Sequence, residues 1–140
     1  MDNWYVSQSL TFESDKITID GVGDEVMMDW EHSIMSASAA YVTEGGGDIL
    51  EIGFGMGISA GYMHSHSINS HTIVENHPQI IPKAVEWATN KSYVTIVSQS
   101  WYDVKDGRRN ICILRCNKTK RCRNKIRRQL IGSSAFYGTV

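Results

Sequence analysis

A chain of 140 residues with 41% hydrophobic side chains has the material for one domain with a moderate core. No apolar run approaches the ~18 residues of a membrane span, and the opening MDNWYVSQ has neither the basic nor the apolar part of a signal peptide. A cytoplasmic protein with no membrane partner is expected. The formal net charge of −1 conceals a division. Residues 1–104 carry three lysines against fourteen acids, a net −11, whereas 105–140 carry eleven Lys and Arg against Asp106 alone, a net +10.

Taken in order, 1–24 is a weakly patterned lead-in. Leu10-Thr11-Phe12 and Lys16-Ile17-Thr18-Ile19 alternate like a small hairpin closed by Gly21 and Gly23, and chemistry is not expected there. From Glu25 the spacing predicts a helix: Val26, Trp30, Ile34 and Ala37 recur at three and four residues, with Met27 and Met35 widening the stripe. Core packing explains these apolar residues as well as a site does, and Glu31 could be a solvated helix acid.

After Gly45-Gly46-Gly47, the run Asp48-Ile49-Leu50-Glu51-Ile52 reads as a short strand that enters three glycines at alternate positions, Gly53, Gly55 and Gly57. A strand that ends in glycines and turns into a helix makes a corner where a ligand can lie against the main chain. The dinucleotide fingerprint Gly-x-Gly-x-x-Gly would place its last glycine at Ile58, which counts against NAD and FAD. The next strand, His71-Thr72-Ile73-Val74, ends on Glu75, ~20 residues beyond the corner, where a nucleotide-binding half places the carboxylate that holds ribose hydroxyls. Glu-x-Gly-x-Gly-x-Gly with a strand-end acid is similar to the cofactor site of class I S-adenosylmethionine (SAM) methyltransferases. A plain glycine turn is the rival reading.

Residues 58–65 should form the first crossover helix, with Tyr62 and Met63 available for packing. Pro78 to Asn90 reads as the second, with Ile80, Ile81, Ala84, Val85 and Ala88 on its buried face. Tyr93 to Val97 is then a third strand, followed by Gln99-Ser100-Trp101, which sets an aromatic at the carboxyl edge where α/β ligands bind. His64, His66, His71 and His77 do not match a zinc spacing and no cysteine lies near them, so surface or hydrogen-bonding roles are expected and no metal is assigned. Asn110-Ile111-Cys112-Ile113-Leu114 could be a fourth strand. Residues 115–128 are dominated by Lys, Arg and Asn and carry no pattern that calls for regular structure, and Cys112, Cys116 and Cys122 lack a fourth zinc ligand.

Set side by side, Val26-Met27-Met28-Asp29-Trp30-Glu31 and Leu50-Glu51-Ile52-Gly53-Phe54-Gly55-Met56-Gly57 closely resemble the guanidinoacetate N-methyltransferases and the related arginine N-methyltransferases, from about Val26 to Asp103. The resemblance implies an α/β, Rossmann-like class I methyltransferase fold, three-layered with a mostly parallel sheet and truncated after about its fourth strand. It implies SAM as cofactor and S-adenosylhomocysteine as product. By position it places Met27, Met35, Gly53, Phe54, Gly55 and Met56 around SAM, Glu75 with Asn76 on the ribose side, and Trp101 near the adenine. Glu31 would hold the guanidino group of a small-molecule substrate, guanidinoacetate or arginine.

One motif is missing. The family's Tyr-Asp-Thr-Tyr segment, whose aspartate is a second carboxylate, falls on Ile113-Leu114-Arg115-Cys116, a cation where the acid should be. A reading-frame shift near Asp106 would account for the charge break, the clustered cysteines and the lost motif together. The domain reading is accordingly a SAM-binding half-domain over 1–104, with 1–24 as lead-in, and a divergent basic tail over 105–140. Two other readings stand beside the enzyme: a non-catalytic SAM binder, and a nucleic-acid binder acting through the basic tail. The acidic body and the presence of only Phe136 and Tyr137 as tail aromatics argue against nucleic acid. A missing sheet half would expose apolar surface and strand edges, so self-association is expected.

Overall fold

The computed structural model describes residues 4–101 and 103–104, together with the backbone of 110–117 and 121–128. Lys105, Asp106, Phe136 and Tyr137 lie outside the described residues.

The lead-in opens with a 3-10 turn, Tyr5–Ser7, and then forms a small antiparallel sheet from β1 (Leu10–Phe12), β2 (Lys16–Ile19) and β3 (Glu25–Met28). Leu10 pairs with Ile19 and Phe12 with Ile17, so Leu10, Ile17 and Ile19 of this expected hairpin turn inward and are almost fully buried. The third strand is a departure from the sequence reading. Val26, Met27 and Met28 have helical spacing to Trp30, yet Ile17 pairs with Met27 and Lys16 with Met28. Strand pairing to an adjacent hairpin outweighs a weak helical pattern here.

Asp29–Glu31 is a 3-10 turn and the helix α1 begins only at His32, running to Thr43. Its buried face is Met35, Ser38, Ala39 and Val42, whereas Trp30 is 55% exposed and Ala37 is exposed, so the predicted stripe is displaced by about one residue. The start of α1 is set locally. The Glu31 side chain accepts the Met28 backbone N–H at 2.9 Å, filling one of the donors that a helix entry leaves open.

The main sheet has the order β6-β5-β4-β7-β8, with β4 (Asp48–Ile52), β5 (Ser70–Glu75), β6 (Val94–Ser98), β7 (Asn110–Asn117) and β8 (Arg121–Arg128). The first four are mutually parallel, and β8 runs antiparallel to β7. Helices α2 (Ile58–His64) and α3 (Ile81–Ala88) are the crossovers from β4 to β5 and from β5 to β6. Pro82 lies in the first turn of α3, and Asn90, at φ +66°, follows its end. Ile80 and Ala84 are buried as expected, but Val85 is 51% exposed: it lies one residue off a face that a single-layer helix can bury.

Two apolar clusters hold these parts together. One joins Leu10, Ile17 and Ile19 to Phe54, Ile73, Ile80 and Ala84, and so ties the lead-in to the main sheet. The other packs α1 against α2 through Ala39, Val42, Ile49 and Met63. β7 runs on beyond Ile113, the partner of Ile52, and pairs antiparallel with β8, so the backbone of 115–117 and of 121–128 is paired where the sequence offers no pattern. No helix among the described residues is long and apolar enough to cross a membrane.

Candidate functional site

Chain direction around the sheet reverses at β4, which has β5 on one side and β7 on the other. Ligands of open α/β sheets bind outside the carboxyl ends of the strands at such a switch point. A cavity of about 470 Å³ opens there, lined by the ends of β4 and β5, the glycine turn, Gln99 and Trp101 after β6, and residues of the lead-in.

The glycine turn is shaped by backbone dihedrals that side chains resist. Gly57, at φ +75°, sits one residue before α2, and its N–H closes on the Phe54 carbonyl at 2.8 Å. A Cβ at Gly57 would lie 2.6 Å from the Phe54 ring, and Phe54 is buried. At Gly55 (φ +56°) a Cβ would lie 2.6 Å from the Met27 sulfur, which itself approaches the Met56 N–H at 3.0 Å. Thus β3 delivers Met27 onto the glycine turn.

Glu75 closes the corner from the other side. Its Oε2 accepts the Phe54 N–H at 2.8 Å, and its Oε1 accepts the N–H groups of Asn76 and His77, each at 2.9 Å. One carboxylate therefore fixes the turns after both β4 and β5, through charge-assisted bonds in a buried setting. Glu51, at the end of β4, is buried and takes His71 Nε2 at 2.9 Å, so His71 donates from that nitrogen. Glu51 and Ser59 both line the cavity, and the buried Ser59 hydroxyl has no partner among the described residues.

Of the residues singled out in the sequence, Met27, Gly53, Phe54, Gly55, Glu75, Asn76 and Trp101 line this cavity. Met56 packs against the core cluster beside them. Met35 is buried on α1, and Glu31 is buried at the entry to α1; neither is among the cavity-lining residues. His77 is fully buried, with Nε2 donating to the Gln8 carbonyl at 3.1 Å and Nδ1 accepting the Gln79 N–H at 3.2 Å. Among the described residues no group of three His, Cys, Asp or Glu is placed to hold a metal ion.

The lead-in supplies lining that the sequence reading missed. Trp4, Tyr5, Ile19 and Asp24 all face the cavity. The only sequence signal was an aromatic pair inside a polar stretch, Asn3-Trp4-Tyr5-Val6. Burial, and secondarily the charge of Glu75, push the Tyr5 phenol well above its ordinary value.

A parallel sheet with this strand order, a glycine turn after its first parallel strand and a carboxylate at the end of the next define a Rossmann-like fold of the class I methyltransferase type. The chain belongs to the guanidinoacetate N-methyltransferase family, whose model matches residues 2–108. It is similar to protein arginine N-methyltransferase 2 of Aspergillus oryzae, at 36% identity over 103 residues covering 71% of this chain and 24% of that protein. The Yarrowia lipolytica protein of the same name is 35% identical over 112 residues, 74% of this chain and 23% of its own. The Saccharomyces cerevisiae one is 30% identical over 105 residues, 71% and 26%. The chain thus spans about a quarter of the length of these relatives.

Two measurements follow from this geometry. Gly57→Ala should cost about 2–4 kcal/mol of folding stability, because strain at positive φ adds to a clash with the buried Phe54 ring, whereas Gly53→Ala, at φ +83° with nothing within 4 Å, should cost only about 1–2 kcal/mol. Urea denaturation of the two variants checks the order, and equal losses would contradict it. The raised Tyr5 phenol means the folded chain holds that proton more tightly than the unfolded chain. Its stabilisation is complete below about pH 10, the ordinary tyrosine value, and is lost as pH rises toward the folded value. Relative to Tyr5→Phe, the wild type should therefore lose urea stability only above about pH 10; parallel pH profiles would contradict this.

Proposed function

We propose that this chain is the cofactor-holding half of a SAM-dependent N-methyltransferase that acts on a guanidino group. The observation that carries the reading is the Glu75 carboxylate, lining the cavity at the carboxyl end of β5 and bonded to the Phe54 N–H of the glycine turn. The donor set suits a nucleoside with an amino-acid arm. The cavity has a carboxylate for hydroxyls, an aromatic at Trp101 for a base, Asn76 beside the carboxylate, and a turn where Gly53 and Gly55 leave the main chain bare. Met27 lies against that turn, with Phe54 and Met56 in the core cluster beside it, and the resemblance adds Met35, buried on α1, to the cofactor's surroundings. When bound, SAM supplies a methyl carbon on a positively charged sulfur, open to in-line attack by a nitrogen.

The chain's own part in that attack is orientation and proton handling. A guanidinium is protonated and not nucleophilic, so carboxylates must clamp its planar fork and one of them must take the leaving proton. The family resemblance gives that role to Glu31, a buried carboxylate that accepts the Met28 N–H. The family's second acid is replaced at Arg115, on a part of β7 that overruns β4 at the same carboxyl edge. Cofactor binding without measurable turnover is the behaviour this favours for the chain by itself. Guanidinoacetate, free arginine and a protein arginine present the same fork, and the relatives' name favours arginine in a protein.

Calorimetric titration of the full chain with S-adenosylhomocysteine tests the reading. A saturable one-to-one heat is expected, weakened at least about ten-fold in Gly55→Asp and in Glu75→Gln, the latter chosen because it keeps one acceptor oxygen for the backbone amides. A folded chain that produces no heat, or variants that bind as well as the wild type, would contradict the assignment.

A further inference from the structure

Away from the cavity, three polar side chains form an ordered array on the surface between the entry to α1 and the second turn of α2. His32 Nε2 lies 3.0 Å from Asp29 Oδ1, and His32 Nδ1 lies 3.0 Å from the Tyr62 phenol oxygen. None of the three is among the cavity-lining residues, so the array is separate from the cofactor corner.

The chemistry of the partners sets the direction of both bonds. A carboxylate can only accept, so His32 Nε2 carries the proton given to Asp29. In the neutral ring Nδ1 is then the acceptor, and the Tyr62 phenol donates to it. A hydroxyl held on a base, with the base held by a carboxylate, is the arrangement that readies a weak oxygen nucleophile. The phenol has a positioned acceptor for its proton, and the charge that the imidazole gains on taking it is met by Asp29.

The array is fixed from three sides. The Tyr62 ring packs against the cluster of Ala39, Val42, Ile49 and Met63, while its hydroxyl end is at the surface. The His32 backbone N–H donates to the Asp29 carbonyl, and its ring meets that of Tyr62 edge-on, with centroids 5.7 Å apart and planes at 85°. The Asp29 N–H donates to the Asp15 carbonyl at 2.7 Å, which fastens the orienting acid to the lead-in. An ion pair as exposed as this one, at 48% for His32 and 61% for Asp29, contributes little to stability, so fold stability does not account for the alignment.

We propose that Tyr62 is a covalent modification site, a phenol that takes an acyl group from an activated acyl donor, with His32 as its general base and Asp29 as the residue that orients the base. With an aryl ester as donor, Tyr62 Oη bonds to the carbonyl carbon as its proton passes to His32 Nδ1. The bond from that carbon to the aryl oxygen breaks, the phenolate departs, and the imidazolium then gives its proton to solvent. The product is an ester on Tyr62. Nothing in this step depends on the cofactor reading.

The full chain is treated with p-nitrophenyl acetate, and acetyl groups are located over time by peptide mass mapping. Tyr62, which is half-buried, should be acetylated at least about ten-fold faster than Tyr41, which is 52% exposed, the reverse of the order that exposure alone would set. His32→Phe should slow Tyr62 at least about ten-fold and leave Tyr41 unchanged, and Asp29→Asn should slow Tyr62 about three-fold or more. Both substituted positions are exposed, and the Tyr41 rate reports on the fold of each variant. Labelling of Tyr62 no faster than that of Tyr41 would overturn the site. So would a Tyr62 rate that His32→Phe leaves unchanged, or an equal effect of both variants on the two tyrosines.

Discussion

The carboxylate of Glu75 holds three backbone N–H groups, from Phe54 in the turn after β4 and from Asn76 and His77 in the turn after β5. Two loops that would otherwise leave buried donors unpaired are thereby tied to one charge. The fixed turns hold Phe54 over the glycine corner, which forces Gly57 to stay bare and lets α2 start immediately after it. The same carboxylate forms the polar edge of the cavity. Turn-fixing and cavity-lining roles thus fall on one side chain, and the geometry of the corner is set by the chain's own bonds.

The lead-in belongs to that corner. Leu10, Ile17 and Ile19 enter the core cluster of Ile73 and Ile80, and the Gln8 and Leu10 backbone is bonded to His77 and Gln79. β3 carries Met27 onto Gly55, while the turn at Tyr5 carries two aromatics over the opening. A small antiparallel sheet therefore acts as one wall of a site whose other walls come from the parallel sheet. Beneath them, the buried Glu51–His71 pair sits between β4 and β5 with one carboxylate oxygen bonded to the imidazole.

Much of this was legible in the sequence, and the physical reasons are specific. The order of strands and crossovers from Asp48 to Ser98 followed from β-branched runs, glycine punctuation and Pro82, all of which are local signals. Glu75 could be placed at a strand end because its distance from the glycine turn is set by one crossover unit. The stretch from Glu25 to Glu31 reads as helix because Val26, Met27 and Trp30 satisfy helical spacing, while the strand partners of Met27 and Met28, Ile17 and Lys16, lie about ten residues away. The role of 4–24 was not legible at all. Its contacts with His77 and Gln79 span 69 residues, and no local pattern reports a contact of that range.

The central claim is that Glu75 locks the two turns into a preformed corner, and amide hydrogen exchange followed by NMR tests it most directly. The Phe54 N–H, which has no carbonyl partner among the described residues and is bonded to Glu75 Oε2, should exchange as slowly as the Gly53 N–H, which is bonded to the Val74 carbonyl at 2.7 Å, and should lose that protection selectively in Glu75→Gln. A Phe54 amide that exchanges at the rate of an exposed loop in the wild type would contradict the account.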